Sequence, residues 1–184
     1  RLKQRLAHET ARARERLVQA LDSPRYAALL DALDELAGTG PTRRVSKRRL
    51  RRRARKDLRR ADHRLDPGTG LSGASDGRLH EARKAYKRAR YAVEVVRPVA
   101  GRSAARLRKR LKALQDELGA HQDAVVTAAL LRQQGMTAYG EGENTFTYGL
   151  LYGRQQRDAE LRRNRLPRVS RRAASAQVRG WLDG

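Results

Sequence analysis

Between Asp76 and Val96 the chain reads DGRLHEARKAYKRARYAVEVV. His80, Arg83, Lys87, Arg90 and Glu94 recur at spacings of three and four, so on an α-helix they share one face, which Lys84 and Tyr91 widen. A row of this kind binds anions. The Arg guanidinium grips phosphate oxygens in pairs and the Lys ammonium acts as a point charge. From His80 to Arg90 such a row rises about 15 Å, which suits an extended polyanion better than a single phosphate. His80 falls in the first turn, where free backbone N–H groups already favour an anion; a histidine bracing a neighbouring helix fits that position equally well. Glu94 stands four residues from Arg90, the spacing of an ion pair that holds the guanidinium in place.

Helices must position this row. Leu79, Ala82, Tyr86, Ala89, Val93 and Val96 form a second stripe, rotated by about 100°, that faces a core. Upstream, Leu2, Leu6, Ala13, Leu17 and Leu21 outline an amphipathic helix ending at Asp22-Ser23-Pro24. A second helix follows, carrying Leu29, Leu30, Leu33 and Leu36 and closing near Gly38. From Arg43 to Leu65, thirteen of twenty-three residues are basic, yet Leu50, Ala54, Leu58, Ala61 and Leu65 keep an apolar stripe, which predicts a docked helix rather than a disordered arm. Lys47, Arg48, Arg51 and Arg55 on that helix are candidate additional contacts for an anion.

Beyond the central helix, Pro98 to Gly101 predicts a break, and Ala104, Leu107, Leu111, Leu114 and Leu118 form a further seam flanked by Lys109 and Arg110, also candidate contacts. Gly119 is expected to end or bend that helix, with a further segment running to Gly135. In the helix expected over residues 143–163, with Phe146, Leu150 and Leu151 as its apolar positions, Gly149 and Gly153 predict the close approach of another backbone or a ligand, because each costs about 1 kcal/mol relative to Ala. Val169 to Trp181 reads as a short basic helix with a frayed end. No stretch alternates with period two for long enough to be a strand. The expected class is all-α, an antiparallel helical bundle or bundles of about seven helices.

Composition narrows the function. The 184 residues include 43 Lys and Arg against 20 Asp and Glu, a net charge of +23 that repels itself unless an anionic partner screens it. Thirty-six of the basic residues are Arg, which reflects either phosphate recognition or a codon preference. Cysteine is absent, so disulfide and thiolate chemistry are excluded and an intracellular site is favoured. No apolar run approaches transmembrane length, so no membrane partner is expected. Gly68-Thr69-Gly70-Leu71-Ser72-Gly73 matches a dinucleotide fingerprint in form only, since no strand precedes it. His8, His63, His80 and His121 lack metal-ligand spacing, and no catalytic triad, phosphate loop or carboxylate pair is evident, so neither metal, cofactor nor catalysis is expected.

The pattern His80-x-x-Arg83-Lys84-x-x-Lys87-Arg88-x-Arg90-Tyr91-x-x-Glu94, followed by Leu114-Gln115-Asp116-x-Leu118-Gly119-x-x-x-Asp123, resembles the second repeat of a CHAD domain, the conserved histidine α-helical domain. The glycine pair and Arg-rich tail are similar to the end of that domain. The resemblance covers residues 1–184 and implies two helical bundles about a pseudo-twofold axis, with a basic channel that binds inorganic polyphosphate. It points to His80, Arg83, Lys84, Lys87, Arg90 and Tyr91 as the binding residues, with Glu94 in support. No matching His-x-x-Arg helix precedes Arg43, so the N-terminal part of a complete domain is expected to lie upstream. A non-enzymatic polyphosphate-binding protein follows, cytoplasmic and associated with polyphosphate granules, with divalent cations as counterions at most. The alternative is a nucleic-acid binder drawn to the same charge, which the 4% aromatic content disfavours because few rings are present on which bases could stack.

Overall fold

The computed structural model describes residues 2–40, 45–66, 68, 70, 71 and 73–183. The chain divides into two units, Arg1–Arg44 and Val45–Gly184. The described residues are helical or irregular, with no strand among them.

The first unit is a pair of helices, α1 (Leu2–Leu21) and α2 (Pro24–Thr39). Ser23 divides them: its hydroxyl accepts from the Tyr26 N–H at 3.3 Å while Pro24 occupies the first helical position, where no N–H is needed. The expected apolar positions are not enclosed. Leu17, Leu21, Leu29, Leu30, Leu33 and Leu36 are all exposed, because within this unit two helices have only each other to cover them.

In the second unit α3 (Lys47–Leu65) and α5 (Phe146–Ala174) flank a long helical hairpin, α4 (Asp76–Gly140). Ser46 caps α3 and Ser75 caps α4, each hydroxyl accepting a backbone N–H three residues on. Gly101 breaks α4 with φ 52° and ψ −126°, a conformation that L side chains resist, and the chain there reverses into two antiparallel arms, 76–100 and 102–140. The break expected after Pro98 is therefore made by the glycine. The helix runs unbroken through Gly119 and Gly135, contrary to expectation, because Leu118, His121, Ala124, Leu131 and Gln134 keep its buried face continuous.

The core lies where the two arms, α3 and the chain's end meet. Ala54, Ala61, Ala82, Ala89, Ala104 and Ala173 are fully buried, which lets helix axes close on one another. Leu58, Leu79, Leu107, Leu111, Leu114, Leu118 and Leu166 fill the remaining space, each burial contributing about 1.5–3 kcal/mol.

Three expectations about the last third are corrected. A Cβ at Gly149 or Gly153 would meet nothing within 4 Å, so neither marks a close approach; Gly135 does, where a Cβ would stand 3.1 Å from the Tyr148 Cβ of α5. Phe146 and Leu150, read as apolar positions of a seam, are 76% and 64% exposed. The C-terminal segment does not fray. α5 continues to Ala174 and is followed by α6 (Ala176–Arg179) and a 3₁₀ turn (Gly180–Leu182) whose Leu182 reaches the core. Arg179 explains the difference. Its guanidinium holds both Asp62 oxygens, at 2.5 and 3.0 Å, its Nε donates to the Ala173 carbonyl, and the Tyr86 hydroxyl donates to the same carboxylate at 2.7 Å. Burial and that carboxylate hold the Tyr86 phenol far above its usual pKa, so it stays a donor.

Candidate anion-binding site

The basic row runs along the flank of the first arm of α4 that borders the second arm, and the second arm completes it. Arg83 leans across to Gly119, where a Cβ would lie 3.6 Å from its Nε, an ordinary van der Waals contact. Arg90 is fixed from both sides, donating through Nη1 to Glu94 at 2.6 Å and through Nε to Gln115 Oε1 at 2.9 Å. Glu94 also faces Arg108, 3.8 Å away. Tyr91 is half exposed, and the Arg90 guanidinium carbon lies 4.8 Å over its ring.

The row is not uniform in charge. Lys84 pairs with Glu81, which also takes Arg64 at 3.3 Å. The Lys84 ammonium, against burial and with smaller help from Arg64 and His80, holds the Glu81 carboxyl below its ordinary range. Arg83 and Lys87 make no hydrogen bond or ion pair with the described residues, and they stand as the row's unneutralised cations. On the two arms, His80 Nδ1, Arg108 Nε and Gln115 Nε2 are buried and without a hydrogen-bond partner.

Sequence reasoning missed Arg108 and Gln115. Their signal was present: they sit seven residues apart, with Gly119 four residues further on, which places all three on one face of the second arm. Lys109 and Arg110 are exposed but lie about 100° and 200° further round the helix than Arg108, away from the first arm.

The basic residues of α3 divide between two flanks. Arg48, Arg51 and Arg55 line a hollow of about 450 Å³ with Leu182 and Asp183, and Arg55 pairs with Asp183 at 2.8 Å; Lys47 is exposed at the helix start. None of these four is brought to the row on α4. The arginines of α3 on the side of the first arm are Arg53, Arg60 and Arg64, and with Arg88, Tyr91 and Val95 they line a groove of about 710 Å³. Arg88 is exposed and stands on the rim of this groove.

On the far side of the second arm His121 is 1% exposed, with Nε2 3.3 Å from Asp76 Oδ1 but without the angles of a hydrogen bond. Arg163 of α5 takes the same Asp76 oxygen and also donates to the Ala74 carbonyl. Burial lowers the His121 pKa; the Asp76 charge opposes the shift and Arg163 adds to it. A base whose folded pKa is depressed contributes stability that is complete above its unfolded pKa, near 6.5, and is lost as pH falls through the folded value. The melting temperature should fall on acidification below pH 6.5, and His121→Gln should flatten that slope. An identical slope in both proteins, followed by circular dichroism, would remove His121 from this role.

Among the described residues no cluster of His, Asp and Glu could hold a metal ion, and no helix is long and apolar enough to cross a membrane. The sequence profile of the CHAD domain family matches residues 1–132, which takes in the whole row and most of α4's second arm, Gly119 included. The chain belongs to the CHAD family. Two uncharacterized proteins of Mycobacterium tuberculosis, one from strain CDC 1551 / Oshkosh and one from strain ATCC 25618 / H37Rv, are each 36% identical over 168 residues. The similarity covers 85% of this CHAD chain and 30% of each relative, so the chain spans under a third of the length of the curated relatives it matches. No solved structure matches it significantly.

Proposed function

We propose that this CHAD chain binds inorganic polyphosphate along the first arm of α4, without a catalytic step. The observation that carries the reading is the pair of unneutralised cations, Arg83 and Lys87, set in line with an Arg90 that Glu94 and Gln115 hold in place. Arg83 to Arg90 spans about 10 Å of helix, long enough for several phosphate units of an extended chain. The chain would lie across the row, taking Arg83 and Lys87 directly, with His80, Lys84 and Tyr91 at its edges and Arg108 and Gln115 donating from the second arm. This row would form one wall of the basic channel that CHAD membership suggests. Release of condensed counterions supplies most of the attraction, and the fixed spacing of the donors supplies selectivity. Divalent cations enter only as counterions of the bound chain, and polyphosphate granules are the corresponding cellular site.

A nucleic acid offers the same backbone charge but needs rings on which to stack its bases. Tyr91 is the row's one phenol ring and Arg90 already covers a face of it, while the His80 imidazole is partly buried. Long-chain polyphosphate should therefore outcompete a single-stranded RNA of equal charge at one salt concentration in a fluorescence titration. It should also raise the melting temperature further than sodium chloride of matched ionic strength does. RNA binding as tightly as polyphosphate would reverse the assignment, and equal stabilisation by salt would leave only nonspecific screening.

A further inference from the structure

Polyphosphate has no apolar surface, yet the groove between α3 and the first arm of α4 has an apolar floor. Ala85, Ala92 and Val95 from α4 and Leu50 from α3 form it, with Val95 61% exposed and Leu50 and Ala92 partly so. Its rims are cationic. Arg53, Arg60 and Arg64 stand on one side and Arg88 on the other. Asp57 and Glu81 offset part of that charge, Asp57 pairing with Arg53 at 3.0 Å and with Arg60 at 3.9 Å and Glu81 with Arg64 at 3.3 Å, while Arg88 has no partner among the described residues.

We propose that this groove docks an acidic amphipathic helix of a partner protein. Two packed helices leave a furrow that a third helix fills at an axis separation of about 8–10 Å. The floor and rims run from Leu50 to Arg64 on α3 and from Ala85 to Val95 on α4, about 21 and 15 Å, which matches three to four helical turns. Leucines at spacings of three and four would seat on Ala85, Ala92 and Val95, and carboxylates flanking them would meet Arg60 and Arg88. The charge selects the partner's sign and the floor selects a helix. A bare polyanion would leave Val95 uncovered, and a nucleobase would meet an aliphatic floor whose one tyrosine, Tyr91, already has a face covered by Arg90. Arg83 and Lys87 are not among the residues lining the groove and Tyr91 alone stands at the edge of both surfaces, so the two binding readings are tested by different substitutions.

The test uses a four-turn peptide with leucine along one face and glutamate along the other, and a scrambled peptide of identical composition whose leucines share no face. The amphipathic peptide should bind at physiological salt about tenfold or more tightly than the scrambled one. Val95→Asn, which changes no charge, should erase that preference while leaving polyphosphate binding and the circular dichroism spectrum as they were. Arg88→Glu should weaken both peptides. Equal binding of the two peptides, or a single-stranded RNA of equal charge that outcompetes the amphipathic one, would overturn the proposal, as would a Val95→Asn protein that still prefers the amphipathic peptide.

Discussion

Arg83→Glu should weaken long-chain polyphosphate binding at physiological salt by roughly 10- to 150-fold, the loss corresponding to one hydrogen bond to a charged group of about 1.5–3 kcal/mol. The variant removes a guanidinium that has no internal partner and sets a carboxylate beside Gly119, inside the anion's path. Its control must change the net charge equally without touching either basic face. Arg88 fails as that control because it lines the groove toward α3. Arg157 on α5 serves instead: it is exposed and stands nine residues from both buried Tyr148 and buried Leu166, half a turn away from the packed face. Exposed charges are screened over about 8 Å at physiological salt, so Arg157→Glu should matter only at low ionic strength. Equal losses for the two variants, measured by isothermal titration calorimetry, would mean that the anion reads net charge and that the row is no site.

Arg179→Ala should cost about 2–4 kcal/mol, a drop of roughly 5 to 15 °C in melting temperature. Arg179 is 15% exposed and Asp62 35%, so removing the guanidinium leaves a half-buried carboxylate with Tyr86 as its remaining side-chain donor. The penalty is that of an uncompensated charge, which is why it exceeds the value of the pair itself. Arg55→Ala breaks the neighbouring pair with Asp183, whose side chains are 36% and 65% exposed, and should cost under about 1 kcal/mol. The double variant Arg179→Ala, Asp62→Ala should lose less than the sum of its single changes. Thermal denaturation in which Arg179→Ala proves no more harmful than Arg55→Ala would show that the C-terminal segment is held by Leu182 and Trp181 alone.

The packed seams of α3 and of both arms of α4 were legible because Leu and Ala at helical period have one economical place to go. The basic row was legible for the same reason, being a fixed rotation from Leu79, Ala82 and Tyr86. What period alone could not supply was the neighbour of each face. Arg48, Arg51 and Arg55 look like Arg53, Arg60 and Arg64 in a run of arginines, and only the phase relative to Ala54 and Leu58 separates the flank against Asp183 from the flank against α4. Gly119 reads as a break when judged by propensity, whereas the buried Leu118 and His121 beside it show tertiary packing overriding the cost of a single glycine. Phe146 and Leu150 show the converse: hydrophobicity predicts burial, but burial also needs a second surface within the same unit.

Gly101 also governs the order in which the unit can assemble. Because the chain reverses there, Arg90 and Gln115 are separated by only 25 residues, whereas Arg179 and Asp62 are separated by 117. Closing the shorter loop costs less conformational entropy, and local pairings of helices form fastest. The two arms that make the basic row are thus able to pair on the ribosome while residues 176–182 are still unsynthesised, and the Arg179 clasp closes on a hairpin already formed.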